Sequence, residues 1–109
     1  MKKQNFEQNT LTELSDEQIA EYKKEYGDIY LIRSGEKKVY LHKPTRQIID
    51  LAQMSAKTRP SMFEEVIIKN CWLAGDKEIL DDKAVDDFYA ISAQVGTLVT
   101  VKEAELKKL

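Results

Sequence analysis

The chain has 109 residues, enough for one folding unit and too few for two independent cores. Apolar residues make up 42% and charged residues 33%, so the chain can build a core under a well-hydrated surface and is expected to fold. The formal charge is −2 with the two signs interspersed, and without a basic field nucleic-acid binding is not expected.

The first residues, Met1-Lys2-Lys3-Gln4-Asn5-Phe6, lead into polar residues, where a secretion signal needs an apolar stretch. The longest apolar runs, such as Val66-Ile67-Ile68, fall far short of the roughly 20 residues that span a bilayer, so no membrane association is expected. One cysteine, Cys71, forms no internal disulfide, in keeping with a reducing bacterial cytoplasm.

Residues 1–14 are polar and aperiodic and read as a flexible arm; residues 15–109 read as a single domain. Ser15-Asp16-Glu17-Gln18 has the capping-box form and predicts a helix to about Tyr26, with Ile19, Tyr22 and Tyr26 on its buried stripe and Gly27 ending it. From Asp28 to His42 the hydrophobic period falls to two, which predicts a β-hairpin turning at Ser34-Gly35-Glu36-Lys37. Tyr30, Ile32 and Tyr40 are assigned to one face and Ile29, Leu31, Val39 and Leu41 to the other. A lone hairpin is barely stable, so one face must pack on helices.

Pro44 and Thr45 open a second helix to about Lys57, with Ile48, Ile49, Leu51, Ala52 and Ala56 as its apolar side. Pro60 starts a third, Met62 to about Leu73, apolar over more than half its circumference and the expected centre of the core. The acidic stretch Asp76 to Asp87 predicts a loop with a fresh cap at Asp81 or Asp82. A last helix follows from about Lys83 towards the C-terminus, its seam running through Val85, Phe88, Ser92, Val95 and Val99, with a break allowed near Gly96. The fold class is therefore α+β: a mainly helical small domain of about four helices with one N-terminal β-hairpin. Phe63, Ile67, Trp72, Phe88 and Val95 are its expected buried core.

His42, beside Lys43 and Pro44, reads as a solvated strand-end residue, and Cys71, next to Trp72, as a buried inert thiol. Asp76-Lys77-Glu78-Ile79-Leu80-Asp81 lacks the alternating oxygen ligands, central glycine and closing glutamate of a calcium loop. No catalytic set, cofactor or metal site is expected. Two features suit binding: the outward face of the hairpin, with Tyr30 and Tyr40, and the helix-prone tail, where Leu106 and Leu109 continue the last seam.

Tyr40-Leu41-His42-Lys43-Pro44-Thr45-Arg46, Lys69-Asn70-Cys71-Trp72-Leu73-Ala74-Gly75-Asp76 and Val101-Lys102-Glu103-Ala104-Glu105-Leu106 together resemble a small bacteriophage tail assembly chaperone, over residues 25–109. The resemblance implies a non-enzymatic helper of phage or prophage origin that keeps the tape measure protein soluble until the tail tube forms around it. Its partner would be the tape measure or a tail tube protein, with self-association left open. Two other readings fit the composition. One is a small bacterial adaptor or regulator binding a cytoplasmic enzyme, and the other is an enzyme subunit that uses His42 and the acidic loop only beside another chain.

Zinc or calcium is expected to leave the melting temperature unchanged, because neither the single histidine nor the acidic loop has ligand spacing. A saturable shift at micromolar metal, abolished by Asp81→Asn with Asp82→Asn, would overturn that expectation.

Overall fold

A computed structural model of the chain describes residues 13–81, 83–99 and 104–109. Its order is α1 (Asp16–Tyr26), β1 (Ile29–Ser34), β2 (Lys37–His42), α2 (Arg46–Thr58), α3 (Met62–Cys71), β3 (Trp72–Gly75) and α4 (Val85–Val95), with 3-10 turns at Lys77–Leu80 and Gly96–Val99. The fold is α+β and mostly helical, but the sheet has three antiparallel strands in the order β1-β2-β3. The expected hairpin is two thirds of it.

Local chemistry explains the starts and stops. Ser15 and Gln18 form the full capping box: the Gln18 N–H donates to Ser15 Oγ at 3.2 Å and the Ser15 N–H donates to Gln18 Oε1 at 2.9 Å. Gly27 ends α1 at φ +86°, and its N–H donates to Lys23 O. Thr45 caps α2 by accepting from the Ile48 N–H at 3.2 Å. Gly35 turns the hairpin at φ +60° with no positive φ at Glu36, the pattern of a type II′ turn.

That two-residue turn fixes the register, pairing Ser34 with Lys37, Ile32 with Val39, Leu31 with Tyr40 and Ile29 with His42. Residues directly opposite share a face. The faces are therefore Tyr30, Ile32, Val39 and Leu41 on one side and Ile29, Leu31, Tyr40 and His42 on the other, which corrects the assignment made from alternation within each strand. Of the first face, Ile32, Val39 and Leu41 join Ala52, Ile67, Ile68, Cys71, Trp72, Ile79, Ile91 and Val95 in the main core. The second is covered by α1, where Leu14, Tyr40, Leu73 and Ala74 pack with Ile19, Tyr22, Tyr26 and Ile29.

Leu14 is buried in this second cluster, and Glu13 Oε1 lies 2.6 Å from Lys38 Nζ, so the folded unit begins before Ser15. The rest of the expected arm, residues 1–12, lies outside the described residues. Of the expected core, Ile67, Trp72 and Val95 are fully buried, while Phe63 and Phe88 are partly buried against it.

The third helix ends two residues earlier than expected, because Trp72–Gly75 pairs with β2: Val39 faces Gly75, Tyr40 faces Ala74 and Leu41 faces Trp72. Leu73 is the extra residue of a bulge, so it and Ala74 both reach the α1 side. The expected cap at Asp81 is absent: Ala84 precedes α4 without a side-chain cap, and Asp82 lies outside the described residues. After Val95 the helix tightens into the 3-10 turn at Gly96. Residues 104–109 are an exposed non-helical segment, so the last helix does not run on through Leu106 and Leu109.

Gly75 is required by space as well as by conformation. Its φ is +150°, and a Cβ there would lie 2.6 Å from Lys38 O and 2.7 Å from Val39 Cα, both backbone atoms of the central strand. Gly75→Ala is expected to cost about 3 kcal/mol or more in urea unfolding, because β3 must move off β2 to admit the methyl group. Stability equal to the parent would show that the approach of these strands is not as tight as described.

Candidate protein-binding surface

The four residues singled out as binding anchors lie in three separate places. Tyr30 is half-buried on the main-core side, and its hydroxyl donates to Asp28 Oδ2 at 3.5 Å; burial, and then the Asp28 charge, raise its pKa. Tyr40, expected on an outward face, is only 7% exposed beneath α1. Leu106 and Leu109 are fully exposed, but on a segment without regular structure and not on a helix face.

His42 is likewise not the solvated strand-end residue expected. It is 3% exposed, its ring stacks on Tyr26 at 4.2 Å and 7° between planes, and its Nδ1–H donates to Lys43 O at 2.8 Å, since a carbonyl only accepts. The neighbours in sequence are polar, but α1 supplies a ring that closes over it. Burial, followed by Glu25, pushes the Tyr26 hydroxyl up to about 12. Cys71 is fully buried, and burial pushes its thiol up to about 12, so almost no nucleophilic thiolate exists near neutral pH. Among the described residues no three His, Cys, Asp or Glu side chains converge as metal ligands would.

The acidic stretch has two structural members. The Asp76 N–H donates to Lys38 O and Asp76 Oδ2 accepts from the Lys38 N–H, both at 2.9 Å, which closes the sheet just beyond β3. Asp87, on the first turn of α4, accepts from the Ser34 hydroxyl at 2.7 Å and lies 3.2 Å from Lys37 Nζ, tying α4 to the hairpin turn.

The surface that sequence reasoning missed is an open groove of about 500 Å³ between α3, the 3-10 turn at Lys77–Leu80 and the start of α4. Its lining mixes polar and apolar side chains: Leu80 and Phe88 line it with the fully buried Ile79 behind them, and Val85 and Tyr89 stand on its lip at 50% and 57% exposed. Phe88 meets Tyr89 edge to face with ring centroids 5.5 Å apart. The rim is charged: Glu65 lies 3.2 Å from Lys69 and 3.9 Å from Arg59, with Asp81 also lining the groove. Arg59 also lines a shallower recess with Ser55, Thr58 and Met62, and Met54 and Leu51 of α2 are exposed nearby in sequence.

This arrangement suits recognition: half-exposed apolar side chains to be covered and charges of both signs to orient what covers them. The groove lining includes the hydroxyls of Ser61 and Tyr89 but neither the imidazole nor the thiol of the chain, both of which are buried elsewhere. One signal in the sequence pointed here. Tyr89 is a large aromatic beside the α4 seam and not on it, and an aromatic left over from a buried stripe is a candidate contact. Among the described residues no helix is long and apolar enough to cross a membrane. Comparison of the chain with known protein families, with characterised proteins and with solved structures finds no match.

The Asp87 latch makes a pH-dependent contribution. The Ser34 hydroxyl, and then Lys37, hold the Asp87 carboxyl below its ordinary value of 3.8. A depressed acid stabilises the fold while ionised, so its contribution is complete above the unfolded value and is lost as pH falls through the folded one. Asp87→Asn is therefore expected to lower the melting temperature at pH 7 and to flatten its fall below about pH 4. Melting curves matching the parent from pH 7 to pH 3 would show that the latch carries no stability.

Proposed function

We propose that this chain is a non-enzymatic, cytoplasmic helper that binds another protein, of the kind the phage tail assembly chaperones represent. Its partner is a helix-prone tape measure protein. The observation that carries this reading is the pair Val85 and Tyr89, half-exposed on the lip of the groove beside Leu80 and Phe88. Covering the exposed half of each side chain would contribute about 1 kcal/mol, a share of the affinity that contacts along the rest of the groove would have to complete. The charged rim would orient a helix laid across the groove, and the exposed Leu106 and Leu109 supply a second apolar contact that costs the domain no core residue. The buried positions of His42 and Cys71 support a binding role over a catalytic one, because the two side chains with the most versatile chemistry are spent on packing.

Co-expression with the tape measure protein of the same genome tests the proposal. The partner is expected to stay soluble with this chain and to precipitate without it. Val85→Ser with Tyr89→Ser should weaken the complex at least tenfold, about 1.4 kcal/mol, while the melting temperature of the domain stays within a few degrees. Equal partner solubility with and without the chain, and no complex on a sizing column, would overturn the chaperone reading and favour an adaptor for a cytoplasmic enzyme.

A further inference from the structure

Helix α2 packs chiefly on α3, and the side it turns away from the core is not uniformly polar. Ala52 is fully buried and Ile48 packs on the main core, which fixes the inner side of the helix. On another side Leu51 and Met54 are 47% and 66% exposed, and the exposed Gln47 and Thr58 extend their line to both ends. Steps of four, three and four residues keep these side chains on one stripe, with the spacing of a helix-pairing seam. The seam is apolar at its centre and polar at its two ends.

One flank of the stripe carries Asp50 and Lys57, each one residue before a seam position and therefore on the same side of it. Both are exposed, and among the described residues neither takes part in a hydrogen bond or an ion pair. They stand two turns apart, beyond the three- and four-residue spacing at which helix side chains pair with each other. The other flank is occupied, since Ser55 borders the shallow recess that Met62 of α3 also lines.

We infer that α2 is an interface for a second copy of this chain, the two helices pairing antiparallel about a two-fold axis that passes between Leu51 and Met54. In that register Leu51 of each copy packs on Met54 of the other, and Gln47 falls opposite Thr58. Apolar thus meets apolar at the centre, and amide meets hydroxyl at both ends. Asp50 of each copy lies across from Lys57 of the other on the open flank, which gives two ion pairs related by the axis. Parallel pairing would set Asp50 against Ser55 and Lys57 against Met62, and leave both charges without partners. The charge pattern selects a second copy over an unrelated helix: a two-fold axis needs an acid and a base on the same flank, one on each side of the seam's centre, and α2 has both. A contact of one thirteen-residue helix per copy sits at the small end of specific interfaces, which bury roughly 1,200–2,000 Å², so the dimer is weak and depends on concentration. Val85 and Tyr89 lie on α4, so the dimer and the binding function stand or fail separately.

Sedimentation velocity of the intact chain at low salt, over a concentration series, tests this. Mass is expected to rise with concentration towards twice the 12.6 kDa of one chain. Asp50→Lys and Lys57→Asp each set like charges at both ion-pair positions. Each should weaken the dimer about tenfold, with the melting temperature of the dilute chain within a few degrees of the parent. An equal mixture of the two single variants restores opposite charges across the axis, and so does the variant carrying both substitutions; both are expected to dimerise as the parent does. A single 12.6 kDa species at about 1 mM, a dimer that neither substitution weakens, or single variants that do not recover on mixing would each overturn the inference.

Discussion

Strand β2 has to be kept dry on both faces at once. Val39 and Leu41 are fully buried on one side, and Tyr40 and His42 nearly so on the other, with no polar face left to give to water. Two strands cannot provide that cover, since a hairpin alone is marginal in water. The rest of the chain meets the requirement: β3 pairs along the free side of β2, α3 and α4 close over the Val39 side, and α1 folds back over the Tyr40 side. The stack of Tyr26 on His42 and the close approach of Gly75 to Val39 are the two places where this cover is tightest.

Features set by neighbours in sequence were legible there. The capping box at Ser15, the stop at Gly27 and the turn at Gly35 each depend on residues within about four positions, and each stands where it was expected; the second helix opens after Pro44 and Thr45 as expected, with Thr45 as its cap. Features set across the fold were not. Trp72-Leu73-Ala74 continues the apolar run of α3 and carries no break signal before Gly75; only its pairing with β2 makes it a strand. His42 sits among polar neighbours, and its burial is decided by α1, sixteen or more positions earlier. The hairpin faces were misassigned because alternation gives the face within a strand, while the offset between strands comes from the turn. The C-terminal segment has helical composition, but a helix that short is marginal without a surface to pack on.

Apart from Tyr89, the candidate surface was illegible for a related reason. The groove combines side chains from α3, a 3-10 turn and α4 that share no motif, and Val85 reads as a seam residue until its place on the first turn leaves it half-exposed. The acidic stretch also divides in a way charge counting does not reveal. Asp76 holds the sheet at β3 and Asp87 holds the hairpin turn, while Asp81 faces the groove.

The position of β3 in the chain also bears on the order in which the sheet is completed. Roughly thirty residues separate His42 from Trp72, and closing a loop of that length costs about 3 kcal/mol of chain entropy beyond a constant. The intervening residues are α2 and α3, which pack on each other locally and shorten the distance to be searched. Were that helical pair and the hairpin to form first, the third strand would have only a short distance left to close. In that order, residues of the α2–α3 contact would weigh on the folding rate and those of the short β3 pairing mainly on the rate of unfolding.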